Sequence, residues 1–353
     1  MTAAYQQIIE VLERRYYGEP ISHQQLLLHA MHHAAFTEVW LSHAIASDAS
    51  KQELAVVLAL ATWHQLPGIA LLQQYWKPEE SLSSLFKADF LAQLQPVAHL
   101  LPEDIRQGFT LLHTSLAPLP TDWLALISLW GKICQCQRDT NTVPVANGVQ
   151  LQPLPTAVKW LTHLPAALKS DFSRAGVYGV TSSDEHQQGI RDCGQFICPL
   201  PQTDVIFASF ERQVAATTGQ RLIHAEPLVI LRYQPGEQFK WHCDFISSTH
   251  QQAQEELKMF GQRVYTSISY LNDDFTGGET EFKFWQRQIK PQQGMVLSFS
   301  NINEQGQVDK NSTHRGCPVL AGTKFVATSW YRSQRLWHRE ALMTAIVENE
   351  TKR

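Results

Sequence analysis

The sequence has few cysteines and no long apolar run. Its six cysteines form no CxxC pair and show no spacing typical of a small secreted disulfide scaffold. No uninterrupted apolar run approaches the roughly 18 residues that a bilayer-spanning helix requires, and Glu10 and Glu13 interrupt the helical pattern at the start. We therefore expect reduced thiols, no signal peptide, no membrane association and a cytoplasmic location.

The chain also has few charged residues and a small net charge. Charged residues make up 18% of the chain and the formal net charge is -4, which gives no strong field to attract nucleic acid or an anionic membrane. A basic groove with aromatic platforms is also missing, so nucleic-acid demethylation is disfavoured. Composition leaves the oligomeric state open.

Residues 1–136 have the pattern of a helical domain. A chain of 353 residues is long enough for two domains, each with its own core. Apolar residues recur at helical spacing from Ala4 to about Cys136, and Ser50 with Glu53 forms a capping box. We expect seven or eight short helices. Degenerate helical repeats stay an open alternative, because no clean period is visible.

The pattern changes after residues 137–157, which collect Pro, Asn and Thr and predict a linker. Residues 158–340 begin with helices near 157–169 and 205–218 and then turn β-rich. Five short strands are predicted, at Leu228–Tyr233, Tyr265–Leu271, Glu279–Phe284, Met295–Phe299 and Lys324–Tyr331. The predicted class is α+β, with an all-α domain, a jelly-roll (double-stranded β-helix) domain, and a helix or tail at 341–353.

The triplet WHCDF contains a pair of candidate metal ligands. On an extended segment His242 and Asp244 leave the same face, about 6.6 Å apart at the backbone, while Cys243 points away. About one such HxD triplet is expected by chance in a chain with 15 histidines. Two imidazoles and one carboxylate leave three open positions on iron(II), so a third ligand is required.

His314 is the natural third ligand, because it precedes a Gly- and Pro-containing turn and a final strand. Ten residues later, Lys324 is a compact cation suited to the distal carboxylate of a dicarboxylic cosubstrate. The hydroxyl groups of Tyr233 and Thr266 are expected to add hydrogen bonds.

Four segments in order resemble the prolyl 4-hydroxylase type of 2-oxoglutarate- and Fe(II)-dependent dioxygenases. They are RYQPGEQFKWHCDF, RVYTSISYLNDDFTGGETEF, IKPQQGMVLSF and STHRGCPVLAGTKFVATSWY. The likeness covers about residues 187–332. An ordered series of motifs seldom arises by chance, so it carries more weight than the HxD triplet alone.

The resemblance implies a role for each matching residue. His242, Asp244 and His314 would bind Fe(II). Lys324 would pair with the 5-carboxylate of 2-oxoglutarate, in a pocket lined by Tyr233 and Thr266, and Trp330 would lie on the substrate side.

Two positions depart from the family pattern. Many relatives carry Tyr where this chain has Phe239, and Lys283 replaces the usual Pro after GGETxF. Both departures leave the substrate open, and we place Phe239 on the substrate side with Trp330.

The implied reaction couples oxidative decarboxylation of 2-oxoglutarate by O2 to substrate hydroxylation, with ascorbate as reductant. By analogy the substrate is a prolyl residue in a peptide or protein that docks on the helical domain. One alternative is hydroxylation of another residue or of a small molecule. Another is a catalytically silent helical scaffold.

Three further features leave their role open. His29, His32 and His33 share one helix face and either bind a second metal or are ordinary surface or packing histidines. Cys193 and Cys198 either pair or are ordinary buried thiols. Residues 245–262 form either a lid or a solvated helix or loop.

Overall fold

The structure is a computed structural model. It describes residues 23–46, 50–75, 80–114, 121–134, 143–146, 148–154, 172–175, 191–198, 205–249 and 251–336. The chain divides into two compact units: the first joins Met1–Cys136 with Pro199–Gln213, and the second joins Gln137–Cys198 with Val214–Arg353. Among the described residues, none of the helices combines the length and apolar character that crossing a bilayer demands.

The described part of the first unit is helical, as predicted. Its α-helices are α1 His23–His32, α2 Ala34–Ala46, α3 Lys51–Trp63, α4 Pro67–Tyr75, α5 Glu80–Leu94, α6 Glu103–Thr114 and α7 Thr121–Cys134. A 3-10 helix, Gln95–Leu100, follows α5. The apolar pattern before residue 23 lies outside the described residues, and a degenerate repeat stays a hypothesis.

The capping box at α3 shows how the sequence sets a helix start. The Ser50 hydroxyl accepts a hydrogen bond from the Glu53 backbone N–H at 3.2 Å, as an N-cap does. The Glu53 carboxylate does not complete the box. It accepts instead from Trp40 Nε1 at 2.7 Å in the core, so one residue caps α3 and its partner ties α3 to α2.

Helix α8, Val205–Thr218, has the predicted bounds. Residues 205–213 of α8 group with the first unit. There Arg212 donates to the carbonyl of Ile133 at 3.1 Å and to that of Ile45 at 2.9 Å. Both carbonyls belong to last turns of helices, which have no intrahelical partner, so Arg212 satisfies two helix ends at once.

The second unit is built from antiparallel strands. Its strands are β1 Val143–Ala146, β2 Val149–Pro153, β3 Ser173–Arg174, β4 Arg191–Asp192, β5 Gly194–Ile197, β6 Val229–Tyr233, β7 Gln238–His242, β8 Arg263–Tyr270, β9 Thr276–Gly277, β10 Thr280–Phe282, β11 Arg287–Ile289, β12 Met295–Ser300, β13 His314–Gly316, β14 Val319–Ala321 and β15 Lys324–Arg332. One sheet has the order β1-β2-β12-β8-β15-β6-β5-β3, a second β11-β10-β13-β7-β4, and a third pairs β14 with β9.

The predicted linker was wrong for residues 143–153. Strands β1 and β2 form a hairpin, and β2 pairs with β12 from Val149 opposite Phe299 to Pro153 opposite Met295. The prolines of this segment suggested a loop, but a strand at a sheet edge tolerates proline. The predicted helix at 157–169 and the tail at 341–353 lie outside the described residues.

The two larger sheets share one apolar core. Phe282 and Ile289 of the five-stranded sheet belong to the same buried cluster as Leu297 and Phe299 of the eight-stranded sheet. The rings of Phe282 and Phe299 meet edge to face at 5.2 Å, a favourable aromatic geometry. The inner faces of β7 and β13 therefore look toward β8 and β15, and this positions the site.

Candidate metal centre

His242, Asp244 and His314 meet between the two larger sheets. His242 ends β7, His314 begins β13, and the two are direct cross-strand partners. One ligand atom from each of the three residues lies within 4.8 Å of the others. Cys243, between the first two ligands, places its sulfur 3.2 Å from the Thr313 hydroxyl instead.

Hydrogen bonds fix which nitrogen each histidine presents. His242 Nδ1 lies 2.7 Å from the Lys240 carbonyl oxygen, and His314 Nδ1 lies 2.8 Å from that of Ser312. A carbonyl oxygen only accepts, so each Nδ1 carries the hydrogen and each Nε2 keeps a lone pair. The Nε2 atoms lie 3.6 and 3.9 Å from the Asp244 oxygens.

The electrostatics of the site favour a neutral His242 beside an ionised Asp244 carboxylate. Burial, followed by the proximity of His314, lowers the pKa of His242 to about 3. Burial alone would raise the pKa of Asp244, but its two histidine neighbours, the Arg263 guanidinium and the Thr266 hydroxyl outweigh it and lower that pKa. This donor set suits Fe(II) and leaves coordination positions open.

Aromatic packing restricts both imidazole rings. The His242 ring stacks on Phe239 with a centroid distance of 3.5 Å and an interplanar angle of 13°. The Arg191 guanidinium lies 5.1 Å from the Phe239 ring centroid. His314 meets Phe299 edge to face at 4.9 Å. The rings are therefore held in place before any metal binds.

Lys324 lies in the wall of the cavity that holds these ligands. Its ammonium is 4% exposed and donates to the Gly278 carbonyl at 2.7 Å. It also lies 5.2 Å from the Tyr233 ring centroid. Among the described residues no carboxylate comes within 4.0 Å of it, and burial lowers the pKa of Lys324 to about 8. A buried cation of this kind has the charge that suits an anionic ligand.

A buried ionic network stands behind one wall of the cavity. Glu226 accepts from Arg263 at 2.6 and 2.7 Å and also from Arg332. The Arg263 guanidinium stacks 4.1 Å from the Trp330 ring centroid. Arg332 in turn binds Glu256, which lies on the helix α9, Gln251–Phe260. The network therefore ties the wall residue Trp330 to the helix that follows the first two ligands.

The comparisons with known proteins agree with this geometry. Residues 228–332 match the model of the 2OG-Fe(II) oxygenase superfamily. This stretch of the chain is similar to members of that superfamily, and it contains all three candidate ligands and Lys324.

The relatives are prolyl 4-hydroxylases, which confirms the resemblance found in the sequence. Prolyl 4-hydroxylase 1 of Arabidopsis thaliana is 32% identical over 154 residues, which cover 40% of this chain and 53% of that protein. A putative prolyl 4-hydroxylase of Acanthamoeba polyphaga mimivirus is 33% identical over 113 residues, covering 32% and 47%. The chain spans about half the length of these relatives. Among solved structures, the viral collagen prolyl hydroxylase of Paramecium Bursaria Chlorella virus-1 is 20% identical with a TM-score of 0.39, covering 53% of this chain and 98% of that one.

Most predicted site residues of the oxygenase domain do line the cavity, and one does not. Lys324, Tyr233, Phe239 and Trp330 are in its wall. Thr266 is fully buried behind Asp244, and its hydroxyl donates to Asp244 Oδ2 at 2.7 Å. Thr266 is not among the residues that line the cavity, and its predicted hydrogen bond to 2-oxoglutarate stays a prediction.

The sequence analysis missed several wall residues of the oxygenase domain. Thr280 lines the cavity and accepts a hydrogen bond from the Tyr270 hydroxyl at 2.9 Å. On β15 the side chains of Lys324, Val326, Thr328 and Trp330 all line it. Residues two apart on a strand share a face, so the alternation starting at Lys324 was the signal for Thr328.

The other open features have structural outcomes. In the segment 245–262, residues 251–260 form a helix, and the lid stays a hypothesis. Cys193 and Cys198 are both buried. Among the described residues, one group of histidine, cysteine and acidic side chains is arranged to hold a metal ion, and it is the one already described. His29, His32 and His33 are all exposed, and a second metal site there stays a hypothesis.

Proposed function

We propose that this chain is a 2-oxoglutarate- and Fe(II)-dependent hydroxylase of prolyl residues in a peptide or protein. The observation that carries the proposal is the convergence of His242, Asp244 and His314 on the cavity whose wall contains the buried ammonium of Lys324. Support for the prolyl substrate comes from the named prolyl 4-hydroxylase relatives.

The residues fit the groups that this chemistry requires. When bound, Fe(II) with 2-oxoglutarate and O2 supplies the oxidising power that inserts oxygen into a substrate C–H bond. His242 and His314 offer Nε2 lone pairs and Asp244 offers a carboxylate oxygen. Lys324 would hold the distal carboxylate of 2-oxoglutarate, with Tyr233 beside it. Apolar wall residues keep water from the reacting centre.

On the proposed substrate side, the Trp330 indole offers a hydrogen-bond donor. Trp330 is 7% exposed and lines the cavity, and among the described residues its indole N–H has no hydrogen-bond partner. An unsatisfied buried donor is costly unless a ligand or water satisfies it. We therefore place Trp330, together with Phe239, beside the substrate.

The helical unit offers a surface for a polypeptide. A groove there has Trp63 and Trp123 in its walls and Asp104 and Asp122 at its rim. Aromatic grooves suit extended, proline-containing segments. Docking of the substrate on this unit completes the proposal. We also propose that the two larger sheets form a double-stranded β-helix, that ascorbate is the reductant and that the protein is cytoplasmic.

The proposal is tested by two linked measurements. Anaerobic titration of the apo protein with Fe(II) and 2-oxoglutarate should produce a visible metal-to-ligand charge-transfer band. Asp244→Ala should abolish the band, whereas Cys243→Ser, at the adjacent position but directed toward Thr313, should keep it. No band from the folded wild type would refute the oxygenase function and favour a silent scaffold.

The substrate is tested by mass spectrometry. A proline-containing peptide incubated with the enzyme, 2-oxoglutarate and O2 should gain about 16 daltons, the mass of one oxygen atom, with formation of succinate. Phe239 stands where many relatives have tyrosine, so other amino acids and small molecules belong in the same screen. A gain on one of those alone would replace the prolyl assignment and leave the chemistry intact.

A further inference from the structure

The side chains of Asn301 and Thr266, behind the metal centre, form a chain of hydrogen bonds that ends on Asp244. We call this chain the relay. Asn301 Nδ2 donates to Thr266 Oγ1 at 2.8 Å, and Thr266 Oγ1 donates to Asp244 Oδ2 at 2.7 Å. Thr266 and Asn301 are both 0% exposed. Bulk water therefore cannot replace either bond if one partner is removed.

The direction of both bonds follows from the chemistry of the groups. The ionised Asp244 carboxylate only accepts, so the single Thr266 hydroxyl hydrogen must point at it. The Thr266 oxygen is then left as an acceptor, and the Asn301 amide must present its NH2 group. The chain has one consistent arrangement, with every hydrogen directed toward Asp244.

Asn301 also connects to the segment that carries the metal-ligand candidate His314. Its backbone carbonyl accepts from the Asp309 N–H at 3.0 Å. Asp309 caps the 3-10 turn Lys310–Ser312, and the Ser312 carbonyl accepts from His314 Nδ1. One residue thus supports Asp244 through its side chain and His314 through its backbone.

We propose that Thr266 and Asn301 are positioning residues that keep Asp244 a one-oxygen metal ligand. This inference rests on the proposed function, because it requires a metal at this site. The Thr266 hydroxyl competes for Oδ2, while Oδ1 lies 3.6 Å from His242 Nε2 and accepts from no donor among the described residues. Oδ1 is therefore the oxygen available to the metal.

One-oxygen binding has a direct consequence for coordination. With two imidazoles and one oxygen, three of about six positions stay open, which is the number needed by a two-atom chelator and O2. A carboxylate released from Thr266 would be free to bind through both oxygens and would occupy one of those three positions. The relay therefore keeps all three positions open for the chelator and O2.

The test counts open positions with Mn(II), which gives a readout that needs no turnover. Water-proton relaxation of the Mn(II)-loaded protein rises with the number of bound waters. Thr266→Val, which removes the hydroxyl at nearly constant shape, should lower this enhancement by about one third, from three waters to two. Thr266→Ser, which keeps the hydroxyl, should restore it.

A matched control separates this role from general packing. Ser267 is the next residue of β8 and is also 0% exposed, but its hydroxyl has no hydrogen-bond partner among the described residues. Ser267→Ala should keep the wild-type enhancement. If Thr266→Val does not fold, as judged by its thermal unfolding, Asn301→Ala replaces it and should lower the enhancement in part.

The outcomes distinguish the relay from the function on which it rests. Wild-type relaxation enhancement in folded Thr266→Val or Asn301→Ala would overturn the relay and leave the metal centre intact. A wild-type protein that binds neither Mn(II) nor Fe(II) would overturn both. An equal loss in Ser267→Ala would show that any buried change on β8 has the same effect, and would also overturn the relay.

Discussion

The buried position of Lys324 makes the binding of 2-oxoglutarate depend on pH. Burial lowers the pKa of this ammonium from 10.5 to about 8 in the free protein, whereas a bound carboxylate should restore it toward its usual value. Below about pH 8 the group is already charged and binding needs no proton. Above that pH, binding must take up a proton at a cost of about 1.4 kcal/mol for each pH unit.

The dissociation constant should therefore rise about tenfold between pH 7 and pH 9. Calorimetric titration of the Mn(II)-loaded protein with 2-oxoglutarate measures this change. Pyruvate shares the chelating 2-oxo acid but lacks the second carboxylate, so its affinity should change much less. Lys324→Arg keeps its charge at all these pH values and should remove the dependence.

Two results would refute this reasoning. Equal pH slopes for 2-oxoglutarate and pyruvate would place the titration at the metal end of the ligand instead of at Lys324. A Lys324→Met variant that binds 2-oxoglutarate as tightly as the wild type at pH 7 would show that the ammonium does not hold the distal carboxylate.

Three further sets of substitutions test which residues stabilise the two units. Gly278 has φ +68°, and a Cβ there would lie 3.1 Å from Lys324 Cδ, whereas Gly294 has φ +80° and open space around it. Both Gly→Ala variants should lose about 1 kcal/mol of unfolding free energy. Only Gly278→Ala should also weaken 2-oxoglutarate binding in calorimetry. Glu226→Gln should lower the unfolding free energy by about 3 kcal/mol in urea titrations. The Arg263 and Arg332 guanidinium groups outweigh burial and lower the pKa of Glu226, so its contribution is present above pH 4.5 and is lost as the pH falls through the native pKa; equal acid sensitivity of wild type and Glu226→Gln would contradict this. Ser50→Ala should cost the helical unit about 1 kcal/mol, seen as a lower unfolding midpoint, and an unchanged midpoint would dismiss the cap.

The strands of the second unit were predictable where a strand faces the core. The runs at Leu228–Tyr233 and Lys324–Tyr331 became strands Val229–Tyr233 and Lys324–Arg332, because β-branched and aromatic residues fit a buried sheet. The hairpin at residues 143–153 was missed, because Pro144 and Pro153 favour a loop in the local sequence. Edge strands carry weak local signals, and their pairing depends on a partner far along the chain.

The metal ligands were predictable from local spacing and motif order, but the residues that hydrogen-bond to them were not. His242 and Asp244 are two residues apart, so extended backbone alone brings them to one face. Thr266 stands 22 residues from Asp244, and no local pattern shows which acceptor its hydroxyl will meet. Asn301 lacks a sequence signal of this kind altogether, since its role depends on contacts across the fold.

The composition of the cavity wall explains why Lys324 should dominate cosubstrate binding. Leu231, Ile268 and Val326 present apolar surface, and Phe239 has no hydroxyl to offer a carboxylate. The Thr280 hydroxyl accepts a hydrogen bond from Tyr270, so its own hydrogen can add a hydrogen bond but no charge. A ligand with a chelating end and a distal anion therefore finds one strong charged partner away from the metal. Among the described residues of the wall there is no second lysine or arginine to replace Lys324 when it loses its charge, so the pH dependence should be steep.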